Sequence, residues 1–302
     1  MRFVLVLLLA LVPVVLHAEP VVSNPTATMP DTTTATATRG HLVIIGGGPR
    51  PDVVMERIIA LAGGDTARIV VVPYASGDPS DVGPYQQQQL RDYGAGTVHV
   101  ALGPVDADAT QALFTNATGV FFSGGDQRKL ADSLGGTATL GLIRAVHARG
   151  GVIAGTSAGA AVMSEVMLTG DVLADGQQAD PDDRRPFPRI AAGYVHTRPG
   201  FGFVDFAVID QHFVWRQRQN RLLSLVLERP HLLGLGIDEA TAIHVYPDQT
   251  FEVVGESQVV VYDAQAATVD ALEDGTFEAE AIRLHLLTHG QRFDPIQRRL
   301  LR

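Results

Sequence analysis

The sequence predicts an α/β domain built on a doubly wound, mostly parallel sheet with an antiparallel C-terminal extension. Two observations carry this. From His41 onward, short β-branched runs recur, each closing on glycine, proline or another small residue. Amphipathic stretches of about ten residues separate them, the crossover length that parallel strands require.

The runs are HLVIIGGG at 41–48, ARIVVVPYA at 67–75, GTVHVAL at 96–102, GVFFSGG at 119–125 and GGVIAG at 150–155. Each is too uniformly apolar for a half-exposed strand and reads as a strand covered on both faces. Between them, helical patterns occupy 52–61, 85–93, 127–134 and 140–149. The polar, proline-punctuated segment 170–188 reads as an exposed loop over the site. After it come a strand in FAVIDQHF at 206–213, a long helix over 214–228 and a strand in LLGLGIDE at 232–239. The runs AIHVYP, TFEVVGE and QVVVYDA alternate with a period near two and extend the sheet in antiparallel fashion.

Residues 1–18, MRFVLVLLLALVPVVLHA, combine one positive charge at Arg2, an apolar run and a small residue at Ala18. They read as a cleaved secretory signal, because the run is shorter than a spanning helix needs and contains Pro13. A single membrane anchor is the alternative reading. Residues 19–40, rich in Thr, Ala and Pro, form a linker with too little apolar surface to order itself. Residues 41–302 form one catalytic domain. Export puts the mature protein in the periplasm or outside the cell, free of the membrane.

Composition narrows the chemistry. With 23 basic and 33 acidic residues the formal net charge is −10, which argues against a nucleic-acid partner and accords with a cationic or arginine-bearing substrate. The chain has no cysteine, so thiolate nucleophiles, disulfides and thiolate metal sites are excluded. His212 and its neighbours lack the paired histidine spacing that zinc sites use, and no metal or cofactor is expected.

The sharpest local signal is Gly155-Thr156-Ser157-Ala158-Gly159, between a strand and a helix that opens on small residues. A nucleophile on a strained strand-to-helix turn needs small neighbours, since main chain and helix approach closely there. The backbone N–H of Ala158 is then placed for a developing oxyanion. A small-residue turn serving only packing is the alternative. Serine needs a base, and His212 is the candidate because it ends a strand run at the same sheet edge. A carboxylate must hold that imidazole. Glu239 is favoured and Asp238 beside it competes. A second glycine loop, Ser123-Gly124-Gly125-Asp126-Gln127, offers a further N–H donor, with Gln127 in reach of a substrate carbonyl or amide. A phosphate cradle is its alternative, although no lysine-serine pair follows. HLVIIGGG resembles half of a dinucleotide fingerprint, but the prolines after it discount that reading.

Four motifs together, FFSGGDQ, AGTSAGAAVM, DQHFVWRQRQNRL and GIDEATA, resemble the cyanophycinases, a branch of the peptidase E-type serine peptidases, in the order that family shows. The resemblance runs over about 41–261 and implies a class I glutamine-amidotransferase-like three-layer sandwich. It implies Ser157 as nucleophile, His212 as base and Glu239 as orienting acid, with Gly125 and Ala158 as oxyanion donors. It also implies that Gln127, Asp210, Gln211, Arg216, Arg218 and Arg221 surround the substrate. On a continuous helix Arg216 and Arg221 are near neighbours while Arg218 points elsewhere. An arginine fork grips a carboxylate bidentately, which suits a substrate with free carboxylates. The implied activity is hydrolysis of cyanophycin, a polyaspartate carrying arginine on its β-carboxyls, to β-aspartyl-arginine dipeptides. The resemblance also implies a homodimer. An aspartyl or isoaspartyl dipeptidase of the same fold and an inactive exported binding protein remain as alternatives.

Overall fold

A strand buried on both faces must be apolar at every position, and β1 (His41–Ile45) meets that condition from its second residue onward. The computed structural model describes residues 39–102, 107–174, 177–178 and 189–302. The segments read as signal and linker lie almost wholly outside the described residues, as do residues 179–188 of the expected loop. Described residues from Arg39 to Arg302 belong to one compact unit.

The chain leaves β1 through α1 (Asp52–Ala62) and returns as β2 (Arg68–Val72). Next come α2 (Pro79–Asp92), β3 (Thr97–Val100), α3 (Ala107–Thr115), β4 (Gly119–Phe122), α4 (Gln127–Leu134) and α5 (Ala138–Ala148). Strand β5 (Val152–Thr156) then leads directly into the short α6 (Ala158–Ala161). The five strands pair in parallel in the order β1-β5-β4-β2-β3. Helix starts follow local chemistry: Asp78 accepts from the N–H groups of Ser80 and Asp81 at α2, and Asp126 accepts from Arg128 at α4. Helix α1 stops at Gly63, whose φ of 110° is a left-handed cap that glycine adopts without penalty.

Both faces of the sheet are covered. Val43, Ile45, Ile69 and Val71 pack against α1 residues Val54, Met55 and Ile58. On the other face, Ile44, Val70, Phe122 and Ile153 share a core with Leu130, Ile143 and Ala160 from α4, α5 and α6. The result is a mixed α/β fold around a central, largely parallel sheet.

After α6 a long strand β6 (Val166–Ala174) pairs with β7 (Gln177–Gln178) and β8 (Val195–Pro199). The expectation of a loop from 170 is therefore corrected: its first residues continue a strand that pairs with β8. Strand β9 (Ala207–Gln211), helix α7 (Gln219–Glu228) and strand β10 (Leu233–Ile237) follow. The remaining strands are β11 (Thr241–Val245), β12 (Phe251–Gly255), β13 (Val259–Asp263), β14 (Thr268–Ala271), β15 (Phe277–Glu280), β16 (Arg283–Leu287), β17 (Arg292–Asp294) and β18 (Arg299–Leu301). Strands β11, β12, β17 and β18 extend the central sheet from the free side of β1 in antiparallel pairs.

The run QVVVYDA does not join that extension. It forms β13 in a separate four-stranded sheet, ordered β16-β13-β10-β9. The reason is alternation: Val259 and Val261 join the core of the central sheet, whereas Val260 and Tyr262 pack with Leu222, Leu225 and Val226 of α7. A strand apolar on both faces fits between a sheet and a helix. The second sheet is thus a layer of its own, and it brings the ends of β9 and β10 beside the end of β1.

A polar cluster is buried away from that end. Arg57 Nη1 lies 2.9 Å from His244 Nδ1, and His244 Nε2 lies 3.0 Å from His41 Nδ1. Since the guanidinium can only donate, His244 is held neutral with its proton on Nε2. Burial, with His41 and Arg57 alongside, pushes His244 down to about 4. The unfolded chain therefore takes up this proton first as pH falls, and the contribution present above pH 6.5 is lost toward pH 4. Urea titrations across this range should show wild type losing on the order of 2–3 kcal/mol more than His244→Gln, which keeps a donor and an acceptor but does not titrate. Parallel loss in both proteins contradicts the assignment.

Candidate active site

The end of β1 gathers three chain segments. Ser157 N–H donates to Ile45 O at 3.0 Å, His212 N–H to Gly46 O at 2.7 Å, and Ala240 N–H to Gly47 O at 3.0 Å. Successive carbonyls of one loop thus fix the turn after β5, the turn after β9 and the turn after β10. All three anchored positions have left-handed backbones: φ is 54° at Ser157, 48° at His212 and 54° at Ala240. Each costs about 1–3 kcal/mol in a non-glycine residue and persists only where the surroundings overdetermine it.

Glycines 46–48 are required by this convergence. A β-carbon on Gly46 would lie 2.1 Å from Asp238 O, one on Gly47 2.4 Å from the His212 ring, and one on Gly48 2.6 Å from Glu239 Oε2. The discounted GGG run is therefore the surface against which the imidazole and carboxylate rest. Sequence reasoning missed it by testing only for a phosphate-binding role. Three consecutive glycines closing a central strand were the available signal, since such a run implies close approach by something.

The side chains meet in a chain of hydrogen bonds. His212 Nε2 is 2.9 Å from Ser157 Oγ, and His212 Nδ1 is 2.5 Å from Glu239 Oε1. A carboxylate only accepts, so Nδ1 carries the proton and Nε2 is free to accept from the hydroxyl. Burial is the main cause that lowers the pKa of His212, and Arg216 and Arg218 add to it against the opposing Glu239. The imidazole is thereby kept neutral and able to accept a proton. Asp238, the alternative acid, faces elsewhere: Oδ1 accepts from the N–H groups of Val214 and Trp215 at 3.0 and 2.9 Å, and Oδ2 from Ser257 Oγ at 2.7 Å.

Ser157 sits with ψ −109° at the start of α6, and its two flanking glycines are sterically demanded. A β-carbon on Gly155 would stand 2.4 Å from Gly159 O, and one on Gly159 2.6 Å from Phe122 O. Beside the serine runs the second glycine loop, where a β-carbon on Gly124 would be 3.5 Å from Ser157 Cβ. Gly125, with φ 135°, packs so closely on Ala75 that a β-carbon would lie 2.1 Å from its carbonyl oxygen. Neither Gly125 N–H nor Ala158 N–H has an acceptor among the described residues.

The other expected residues divide. Gln127 is buried and donates from Nε2 to Leu168 O and Thr169 O at 2.9 and 2.7 Å, tying β6 to the glycine loop. Gln211 lies beside the serine, with Oε1 3.4 Å from Ser157 Oγ and 2.8 Å from Arg218 Nη1. Asp210 and Arg221 form a buried two-pronged ion pair, with Arg221 Nε 2.7 Å from Asp210 Oδ2 and Nη2 on Oδ1. The helical argument that made Arg216 and Arg221 neighbours is corrected. Residues 213–217 form turns and α7 starts only at Gln219. Left-handed backbone at His212 and Gln217 breaks the helical path there, and Asp238 holds the turn between them by accepting two of its N–H groups. Arg216 consequently projects into solvent with no ion-pair partner among the described residues, while burial and Arg221 push Arg218 down to about 9.

Residues 42–253 match the model of peptidase family S51. The chain is 31% identical over 283 residues to the cyanophycinase of Trichormus variabilis (strain ATCC 29413 / PCC 7937), covering 89% of this chain and 90% of the relative. It is 32% identical over 270 residues to the cyanophycinase of Geminocystis herdmanii (strain PCC 6308), covering 85% and 94%. A solved peptidase from an acI-B1 Actinobacterium shares the fold with a TM-score of 0.60 at 22% identity, over 85% of this chain and 98% of that one. The chain belongs to peptidase family S51 and is a serine-type peptidase.

Gly47→Ala should displace the His212 ring and slow labelling of the chain by a serine-directed acylating probe about 10²-fold, the cost of an ångström-scale misplacement. Labelling at the wild-type rate, with the fold intact by circular dichroism, contradicts this role for the glycine.

Proposed function

We propose that this chain hydrolyses cyanophycin to β-aspartyl-arginine dipeptides through Ser157, His212 and Glu239. The observation that carries the reading is the unbroken hydrogen-bond chain from Ser157 Oγ through His212 to Glu239 at 2.9 and 2.5 Å. The named cyanophycinases that match most of its length support the substrate.

In the first half-reaction Ser157 Oγ attacks the scissile aspartyl carbonyl carbon as His212 Nε2 takes its proton. The oxyanion is met by the N–H groups of Gly125 and Ala158. Collapse of the tetrahedral intermediate breaks the C–N bond, and His212 returns the proton to the departing amine. In the second half-reaction water enters, His212 accepts its proton, and the ester is hydrolysed to a free acid with Ser157 restored. Glu239 keeps the Nδ1 proton oriented and balances the imidazolium that forms twice in each cycle.

Each arginine on the polymer is attached through its α-amine, so its carboxylate and guanidinium are both free. Arg216, exposed and without an ion-pair partner among the described residues, is the fork we assign to such a carboxylate. Arg218 positions Gln211, donating to its O and Oε1 at 2.7 and 2.8 Å. The buried Asp210–Arg221 pair fixes the strand end on which both depend. We assign the fold to the doubly wound, class I glutamine-amidotransferase-like sandwich, a reading supported by helices on both faces of the parallel sheet. Export rests on the first 18 residues. Among the described residues no helix is long and apolar enough to cross a membrane.

Ser157→Ala should abolish release of β-aspartyl-arginine while leaving thermal unfolding unchanged. Glu239→Gln should lower kcat on the order of 10³–10⁴-fold, and Asp238→Asn far less, because only the first faces the imidazole. Activity retained in Ser157→Ala, or the reverse ranking of the two acids, contradicts the reading. Because the base must be neutral and its pKa is lowered by burial, the acid limb of kcat/KM should lie below the ordinary imidazole value of 6.5. Arg216→Gln should move that limb upward, since it removes a charge that disfavours imidazolium.

A further inference from the structure

The turn that follows His212 carries a residue with no role in the core. Trp215 is the only tryptophan of the chain and, at 74%, the most exposed large hydrophobic side chain among the described residues. Val214 beside it is 41% exposed. Together the two side chains leave apolar surface in water that a planar ligand group can cover. The Trp215 backbone is not loose. Trp215 N–H donates to Asp238 Oδ1 at 2.9 Å, Asp238 Oδ2 accepts from Ser257 Oγ at 2.7 Å, and Arg216 N–H donates to His212 O at 2.9 Å. The indole therefore hangs from the same framework as the base and the acid, three residues from His212, and a ligand need not order that backbone.

The neighbouring charge decides the ligand chemistry. Arg216 next to it is exposed and makes no ion pair among the described residues, so a simple cation would be repelled. A group carrying a carboxylate and a guanidinium together satisfies both positions: the carboxylate neutralises Arg216, and the planar, weakly hydrated guanidinium stacks on the indole face. The geometry points to Trp215 as a stacking platform for the guanidinium of an arginyl group whose carboxylate is held by Arg216. This rests on the proposed substrate and deepens it. A platform of this kind serves a substrate that bears arginine and adds little for an aspartyl peptide without one.

Because Trp215 is the sole tryptophan, its fluorescence reads the platform alone. The experiment uses the full chain carrying Ser157→Ala, so that nothing is consumed, titrated with a soluble oligoaspartate bearing arginine on every β-carboxyl and, separately, with plain oligoaspartate. Binding is measured in parallel by calorimetry. The expected result is a saturable change in emission with the arginyl oligomer at the concentrations where calorimetry registers binding, and none with plain oligoaspartate. In the active protein, Trp215→Ala should raise KM for the arginyl polymer about two- to fivefold, the fold-change of an exposed cation–π contact, with kcat unchanged. Trp215→Phe should recover most of the loss, and neither variant should alter turnover of an aspartyl dipeptide. Calorimetric binding with silent fluorescence, or an unchanged KM in Trp215→Ala, overturns the platform and leaves the proposed hydrolase standing. Absence of any binding to the arginyl oligomer overturns both.

Discussion

Three backbone carbonyls in succession, Ile45, Gly46 and Gly47, hold the molecule's chemistry in register, because each accepts an N–H from the turn that bears or adjoins one member of the proposed triad. No single layer of the fold contains all three members. Ser157 comes from the central sheet, whereas His212 and Glu239 come from β9 and β10 of the second sheet. What converts these separate pieces into one site is the end of β1, the strand at which the parallel half of the central sheet meets its antiparallel extension. The absence of side chains at residues 46–48 lets the imidazole and carboxylate settle directly on the main chain.

The surroundings then set the electrostatics. His212 is pressed toward its neutral form by burial and by two guanidiniums, and drawn toward its charged form by Glu239. A base held between these influences accepts a proton readily from a hydroxyl and releases it readily to an amine. The arginines near it are not equivalent. Arg221 is fixed in a buried pair with Asp210, Arg218 is bound to Gln211, and Arg216 alone of the three reaches solvent without an ion-pair partner among the described residues. A gradient of this kind, from structural to free positive charge over six residues of chain, lets one arginine-rich segment both brace the site and present a cation to a ligand.

Much of the site was legible in the sequence because its features are local. The strand-turn-helix context of Gly155–Gly159 follows from small residues in a short window. The helix over residues 127–134 was legible to its ends because Asp126 caps it. What was not legible depends on contacts between distant segments. The turn after His212 is broken by the left-handed backbone at Gln217 and held by Asp238, 26 residues from His212 along the chain, and no periodicity in 214–228 reports that. The assignment of β13 to a second sheet depends on which layer its two faces find, and its alternation alone is compatible with either sheet. Choosing between Asp238 and Glu239 likewise required geometry, because only the contacts of each carboxylate show that Glu239 meets the imidazole while Asp238 holds the turn at 214–215 and Ser257.

The most direct measurement of this account is a crystal structure of the full chain after reaction with a serine-directed peptidyl acylating agent. The account predicts a bond to Ser157 Oγ, the adduct's oxygen within hydrogen-bond reach of the N–H groups of Gly125 and Ala158, and His212 still resting on Glu239 above Gly47. A reagent attached elsewhere, or an acylated Ser157 with His212 turned away from Glu239, would contradict it.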